Sequence, residues 1–302
     1  MTPTAANRIA PATPPRQRLR RRPKTRFAWR KAFYWLGVGL CLAALAALGQ
    51  WMLTSARPKQ PAGPTLAASL FDAPWSADPV QFIALGPQGE ATPAFLSLLA
   101  HNDDGRFPEM HGRDLASVFP GLRLGEDPPA KQAVIALYPG LSALLTPVAQ
   151  GGLYGAPLTR VRWQAPRFRR DLLRRLRAAR DRLPEGAEAN VFLGNLPDPA
   201  DGDARFALPG KPPWEHFGAA LALYNQAMAS LAGELPEATV VDLRALFRGH
   251  GRHAGDRGRR LYQPQDPSRW WEGDSSRFNE RGTDAARRAF LLAMARTWGR
   301  GG

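Results

Sequence analysis

A group of side chains suited to binding or catalysis lies near the C-terminus, in WWEGDSSRFNERG: Trp270, Trp271, Asp274, Arg277 and Asn279. Asp274 and Arg277 are three positions apart, so that the carboxylate and the guanidinium can form an ion pair that holds the loop. In the alternative interpretation Arg277 grips a carboxylate or phosphate of a ligand, since its planar donors suit both groups. The two indoles either stack on a sugar ring or pack in the core.

Other candidate nucleophiles and bases are isolated in the sequence. Ser142 follows an apolar run that is typical of a buried strand, and it is predicted either as a nucleophile or as a backbone cap. His111 is predicted either as a displaced general base or as a surface histidine. His250 and His253 have a spacing that can hold a metal ion, but five arginines and one acid share their loop, 248–260. The sequence therefore predicts no metal site and no cofactor.

Four short apolar runs alternate with helical patterns from residue 80 onwards. The runs are Val80–Leu85, Ala133–Leu137, Asn190–Leu193 and Thr239–Leu243. Continuous hydrophobicity of this kind is typical of strands buried on both faces of a parallel sheet. Helices are predicted at about 168–183, 214–233 and 283–298. We therefore expect an α/β fold, a flavodoxin-like three-layer α/β/α sandwich with a crevice at the carboxyl ends of its strands.

These segments together resemble the SGNH (GDSL-type) hydrolase superfamily. The last block of that family has a D-x-x-H pair, an apolar residue, an asparagine and, after a short gap, a glycine, and residues 274–282 match it apart from one position. Further similar stretches occur in the family's order: FIALG at 82–86, NVFLGNLPDP at 190–199, and the segment 221–247 with its YN and VDL. The resemblance covers roughly residues 80–298. It implies ester hydrolysis or acyl transfer by a serine nucleophile with an Asp–His base.

The chain departs from the family at its catalytic positions. Gln88 stands in the nucleophile's region, and the family's G-x-N-D block is represented by Gly140, Leu141 and Ser142. Arg277 takes the place of the histidine, while Asp274 remains. A guanidinium, whose pKa is above 12, cannot accept a proton near neutral pH. The departures predict a catalytically degenerate domain that binds or scaffolds in cell-envelope polysaccharide metabolism. The alternative is an active esterase or O-acyltransferase on envelope glycan or lipid esters, using other residues.

Residues 32–53 (AFYWLGVGLCLAALAALGQWML) form a run of 22 positions without a charged side chain. A helix of that length, about 33 Å, crosses the hydrocarbon core of a bilayer. Residues 1–31 carry ten Arg or Lys and no acid, which predicts a cytoplasmic N-terminus. A cleaved signal peptide is the alternative, although its apolar core usually has 7–15 residues. We expect a single-pass inner-membrane protein with a periplasmic or otherwise extracytoplasmic C-terminal domain.

The predicted organisation is a basic tail (1–31), an anchor (32–53), a Pro/Ala-rich linker (54–79) and an SGNH hydrolase-like domain (80–302). Because the tail holds ten of the positive charges, only +5 of the net charge of +15 remains for the rest, and nucleic-acid binding is not implied. The single cysteine, Cys41, falls in the anchor, so the outer domain has no disulfide. The expected partners are the inner membrane, envelope glycan and other envelope proteins.

Overall fold

The structure, a computed structural model, divides the chain into two compact units, Met1–Lys59 and Gln60–Gly302. It describes residues 26–55, 63–87, 92–125, 130–199, 217–251, 270–272 and 277–299.

The described part of the first unit is a single helix, α1 (Arg26–Ser55). Its side chains are described for residues 33–47, and large apolar ones among them, such as Phe33, Trp35 and Leu40, are exposed. Within the residues that the structure describes, no helix presents an apolar stretch long enough to cross a membrane.

A parallel sheet of five described strands forms the centre of the second unit. The strands are β1 (Val80–Leu85), β2 (Leu122–Leu124), β3 (Gln132–Leu137), β4 (Glu188–Gly194) and β5 (Ala238–Val241). They lie in the order β2-β1-β3-β4-β5, which is the order of flavodoxin-like doubly wound sheets. Val80 is opposite Gln132 and Leu85 is opposite Leu137, so β1 and β3 end level with each other. The last five residues of β3 are buried, as expected for a strand covered on both faces.

Helices connect the strands and cover the sheet. They are α2 (Ala94–Ala100), α3 (Leu115–Val118), α4 (Ser142–Leu145), α5 (Leu158–Arg180), α6 (Phe217–Glu234), α7 (Leu243–Leu246) and α8 (Glu280–Thr297). Helix α2 packs against α8, and α5 packs against α6. The fold is therefore of the α/β class, with a parallel sheet and helices packed on it.

Side-chain caps explain where three of these helices begin. Asp114 accepts a hydrogen bond from the Ser117 amide at 2.9 Å, at the start of α3. Asp242 does the same for the Ala245 amide at 3.0 Å, at the start of α7. Asn279 accepts from the Gly282 amide at 3.0 Å and begins α8. Each cap satisfies an amide that has no partner inside its helix.

The predicted strands are present, with differences at their ends. The run Thr239–Leu243 was predicted to be a strand throughout, but the strand ends at Val241 because Asp242 caps α7. The sequence did not predict β2, a three-residue edge strand that is half-buried and has no apolar run. Helix α5 begins ten residues before the predicted start at 168 and continues through Pro166. Proline usually ends a helical pattern, whereas here buried residues on both sides of it hold the helix against the domain.

The predicted linker, 54–79, differs from the structure from residue 63 onwards. Leu66 and Trp75 are buried in the hydrophobic core, and residues 68–70 form a short 3₁₀ helix. A Cβ on Gly63 would lie 2.7 Å from the Cα of Ala285, and the Trp75 ring stacks on Trp298 with 6.2 Å between centroids. Residues 63–79 therefore belong to the folded unit and form a seam with its C-terminal helix. We call this contact between residues 63–75 and 285–298 the terminal seam.

Candidate functional site

A cavity of about 500 Å³ opens at the carboxyl ends of β1 and β3. In the sheet, β2 lies next to β1 on one edge and β3 lies next to β1 on the other edge. The strand order therefore reverses between β1 and β3. Ligands of open α/β sheets bind in the crevice at such a point. We call it the switch-point cavity. Described residues that line it include Pro87, Thr92, Phe95, Arg106, Tyr138, Gly140, Glu272, Arg277, Phe278 and Thr283.

Two loops approach each other closely at the base of this cavity. Gly140 has a φ of 76°, in the left-handed region, and a Cβ there would lie 2.6 Å from the Cγ of Pro87. Only glycine fits both conditions without strain. The Tyr138 amide donates to the Leu85 carbonyl at 2.9 Å, which continues the β1–β3 pairing into the loops. The sequence thus fixes the distance between the two strand ends through one glycine.

A guanidinium from α5 supports the loop after β1. Arg175 is half-buried and donates a hydrogen bond to the carbonyl oxygen of Gly86. Burial lowers the pKa of Arg175, and the charge of Asp171 opposes that shift. Arg175 is thus a positioning residue for the strand end that borders the cavity.

Three aromatic rings form an apolar wall of the cavity. Phe95 meets Tyr138 edge-on at 5.4 Å between centroids, and Phe278 lies 5.6 Å from Phe95 and 5.5 Å from Tyr138. Aromatic contacts at these separations fix ring orientation as well as burying area. This wall can accept an apolar part of a ligand.

Charged side chains also line the cavity. Arg277 and Glu272 are exposed, and a backbone hydrogen bond of 3.0 Å from the Glu272 amide to the Arg277 carbonyl joins the two residues. Arg106 Nε lies 3.2 Å from Glu280 Oε1, and both side chains are partly exposed. The described lining thus contains two guanidiniums and one carboxylate. A guanidinium has five donors, so a single partner leaves further donors for an anion.

A buried ionic cluster connects the loop that carries Arg106 to helix α8. Asp284 accepts hydrogen bonds from Arg287 at 2.7 Å and from Arg288 at 2.8 Å. Arg287 also donates to the Asn102 side chain, and its guanidinium lies 4.6 Å from the centroid of the Phe107 ring. Burial lowers the pKa of Arg287, and the hydrogen bond with Asp284 opposes that shift. The cluster fixes the position of loop 102–107 relative to α8.

The structure brings some of the predicted site residues together. Gly140 and Arg277 line the same cavity, beside Pro87. Gln88 and Asp274 lie outside the described residues. Ser142 is the first residue of α4 and is half-buried, and it is not among the described residues that line the cavity. Arg277 is exposed. Its guanidinium therefore does not require the ion pair that a buried guanidinium would require.

The other predicted binding residues, Trp270, Trp271 and Asn279, take part in core packing or in helix capping. Trp271 is only 1% exposed and packs edge-on against Phe247 and Phe278, and Trp270 is also buried, with its ring stacked on His250 at 3.5 Å between centroids. Burial favours core packing over sugar stacking for both indoles. The side-chain oxygen of Asn279 accepts the hydrogen bond that caps α8, so this oxygen is already occupied.

His111 forms an exposed pair with a carboxylate. Its Nδ1 lies 2.7 Å from Asp104 Oδ2. The hydrogen bond from His111 lowers the pKa of Asp104, and a second hydrogen bond from Asn102 acts in the same direction. Neither residue of the pair is among the described residues that line the cavity. His253 lies outside the described residues, and no group of three or more potential metal ligands occurs within the described ones.

Sequence reasoning missed four polar residues of the cavity, Thr92, Arg106, Glu272 and Thr283. Arg106 belongs to a loop without any periodic pattern, and it reaches the cavity through its contact with Glu280, 174 positions away. The sequence predicts Thr283 only as the start of the last helix, and its nearness to Asn279 is the one signal that points to the site.

No protein-family model matches the chain, and no curated protein matches it. Among solved structures, the chain is similar to phospholipase A1 from Streptomyces albidoflavus NA297. The sequence identity is 16% and the TM-score is 0.41, and the match covers 72% of this chain and 99% of that one. The chain thus has a weak structural similarity to a phospholipase.

Proposed function

We propose that this chain is a membrane-anchored, extracytoplasmic SGNH/GDSL hydrolase-like protein whose domain is catalytically degenerate. In this proposal it binds a ligand, or acts as a scaffold, in cell-envelope polysaccharide metabolism. The observation that carries the proposal is the switch-point cavity. It is lined by Gly140 and Arg277, and the described part of its lining contains no serine, cysteine or histidine.

The composition of the cavity supports binding rather than covalent catalysis. Thr92 and Thr283 are the hydroxyl side chains of the described lining other than Tyr138, and the two arginines beside them remain charged and cannot serve as bases. Loss of catalytic triad members commonly lowers rates by factors of roughly 10⁴–10⁶. Guanidiniums next to an aromatic wall suit a ligand with a carboxylate or phosphate and an apolar or ring-shaped part.

The anchor and the topology rest on the sequence of the first unit. The uncharged run of residues 32–53 lies within one continuous helix, α1, and the ten basic residues of 1–31 precede it. That charge distribution supports a cytoplasmic N-terminus and a domain on the other side of the inner membrane. The strand order β2-β1-β3-β4-β5, with α2 and α8 in one helix pair and α5 and α6 in another, supports a flavodoxin-like three-layer sandwich.

Labelling with a fluorophosphonate probe tests the degeneracy. The purified full chain in detergent should show no labelling, while an active serine esterase in the same detergent is labelled. Acetyl and longer-chain esters should be hydrolysed no faster than in a blank with detergent alone. Stoichiometric labelling at a serine of this chain would overturn the proposal.

One observation favours a second candidate function, an esterase or O-acyltransferase that uses non-standard residues. The Asp104–His111 pair has the arrangement of a carboxylate that orients an imidazole base, and it belongs to the loop that supplies Arg106 to the cavity. This candidate requires ester turnover that His111→Ala or Ser142→Ala abolishes. Turnover that is present and survives both substitutions would exclude His111 and Ser142 as its catalytic residues.

Arg277→Gln tests the ligand side of the proposal. We expect the variant to bind acidic oligosaccharides, such as oligogalacturonate, roughly tenfold more weakly than the parent chain, because one charge-assisted hydrogen-bonding group is lost. Binding is measured by titration calorimetry on the full chain, with a neutral oligosaccharide as the reference ligand. Arg296→Gln, which removes an exposed arginine on α8, is the matched control. Equal affinity in both variants would show that Arg277 does not contact the ligand.

A further inference from the structure

The outward face of α5 carries a straight row of cationic side chains. Its inward face is apolar, and the residues buried there include Val161, Leu172 and Leu176. On the opposite side, at intervals of three and four residues, lie six exposed residues: Arg160, Trp163, Arg167, Arg170, Arg174 and Arg177. Residues at these intervals share one face of a helix, and the row is about 25 Å long at 1.5 Å per residue. We call it the α5 row.

Most of the charge in the α5 row is uncompensated. Arg174 is paired with Asp171, but the other four arginines have no acidic partner within the part of the chain that the structure describes. Like charges three and four positions apart on a helix repel each other. A surface that repels itself in the free domain gains most when it meets a dense array of anions.

Trp163 adds an exposed aromatic ring to the α5 row. Trp163 is 60% exposed, and it is the large apolar residue most exposed to solvent in the described part of the second unit. The guanidinium of Arg167 lies 3.6 Å from the centroid of its ring and covers one face of the indole. The guanidinium therefore blocks stacking of a sugar on that face. An indole presented in this way fits the headgroup level of a membrane, where tryptophan is enriched.

The chain between the two units is short. Ser55 ends α1 and Gly63 already belongs to the terminal seam, so eight peptide steps separate them. Eight residues reach at most about 28 Å even when fully extended. If α1 is anchored in a membrane, as proposed above, the domain stays within reach of that membrane surface.

We infer that the α5 row docks the domain onto an anionic membrane surface. The guanidiniums contact the phosphates of anionic headgroups, such as phosphatidylglycerol, and Trp163 lies at the headgroup level. The inference rests on the proposed anchor, because the anchor keeps the row near lipid. It assigns α5 a partner that differs from the ligand of the switch-point cavity.

The test places an environment-sensitive dye beside the row in the full chain. Cys41→Ala removes the single native cysteine, and Ala178→Cys introduces one at an exposed position on the flank of the row. The labelled chain is reconstituted in nanodiscs of phosphatidylcholine alone or mixed with phosphatidylglycerol. A dye emission that shifts to the blue only with phosphatidylglycerol, and returns at high salt, is the expected result.

Two triple substitutions distinguish the effect of the α5 row from the effect of the total charge. R167Q/R170Q/R177Q should lower the ratio of docked to undocked domain by roughly 100-fold, at about fivefold per surface cation. The control K131Q/R248Q/R296Q removes three exposed cations elsewhere and should leave the shift intact. An equal loss in both triple variants would overturn the inference, as would equal emission in the two lipid mixtures.

Two further outcomes have defined meanings. If soluble oligogalacturonate abolishes the shift in phosphatidylglycerol nanodiscs at a concentration where neutral oligosaccharide does not, the row recognises acidic glycan and the membrane inference is wrong. If the chain does not remain with the nanodiscs, the proposed anchor fails. The same dye is then read with added phosphatidylglycerol vesicles, and a shift there supports the α5 row independently of the anchor.

Discussion

At the scale of single residues, the contact between Gly140 and Pro87 determines the shape of the switch-point cavity. The two residues follow β3 and β1, and their approach leaves no room for a side chain at position 140. The same glycine has a positive φ, so a side chain would also strain the backbone. Both effects act at the base of the cavity, where they control the separation of its walls.

Gly140→Ala should therefore be more destabilising than a substitution that affects only the backbone conformation. We expect a loss of about 3 kcal/mol in the free energy of unfolding, which combines backbone strain with overpacking against Pro87. Gly112→Ala is the control, since Gly112 also has a positive φ but a Cβ there meets nothing within 4 Å. It should cost about 1 kcal/mol. Urea unfolding of the two variants measures the difference, and equal losses would contradict the close contact.

Tyr224 predicts a pH dependence of stability at alkaline pH. Burial raises its pKa from 10.0 to about 12. The unfolded chain therefore loses the phenolic proton first, and between pH 10 and pH 12 the folded state binds more protons than the unfolded state. Stability then falls as the pH rises through that interval, by about 3 kcal/mol for two pKa units. Tyr224→Phe should remove this component, measured as a shallower decline in unfolding free energy from pH 9 to pH 12. An unchanged slope would contradict it.

At the scale of secondary-structure elements, α8 connects the cavity to the rest of the domain. Its first turn contributes Thr283 to the lining, and its next turn contributes Asp284 and the two arginines of the buried cluster. The side chain of Arg287 is 0% exposed. A guanidinium in that position depends on its carboxylate, because removal of one partner leaves a charge without compensation.

Asp284→Asn should cost about 3–5 kcal/mol of unfolding free energy, the range for breaking a buried ion pair. Asp171→Asn is the matched control, because it breaks an exposed pair of the same residue types on α5. That change should cost at most about 1 kcal/mol. Thermal or chemical unfolding compares the two, and a small effect at both sites would show that the cluster around Asp284 contributes little.

The sequence predicted the elements that have strong local patterns. Residues 133–137 have no polar interruption, so β3 was predicted with an error of one residue at its start. The edge strand β2 was missed because three half-buried residues give no period, and α5 was predicted too short because Pro166 is normally a helix end. In the cavity, Gly140 and Arg277 were found through a motif. The side chain of Arg106 is held at the cavity by Glu280, 174 positions away, and local patterns do not encode a contact at that separation.

At the scale of the whole molecule, the distribution of charge along the first unit predicts its orientation. A fusion of alkaline phosphatase after residue 60 should be active, because the basic tail retains the N-terminus in the cytoplasm. A β-galactosidase fusion at the same residue should be inactive. Replacing the arginines at 18, 20, 21 and 22 by glutamine should reduce the phosphatase activity in proportion to the lost charge bias. Activity of the cytoplasmic reporter instead would reverse the proposed topology.

The terminal seam has a consequence for the order in which the domain can assemble during synthesis. Gly63 and Ala285 are 222 positions apart, and Trp75 stacks on a residue of the C-terminal segment. A ribosome adds roughly 5–20 residues per second, so the partners of the first segment appear on the order of ten seconds or more after it. During that interval Trp75 lacks Trp298, one of the rings that it packs against. The first residues of the folded unit therefore stay without these C-terminal partners until the last helix has been synthesised.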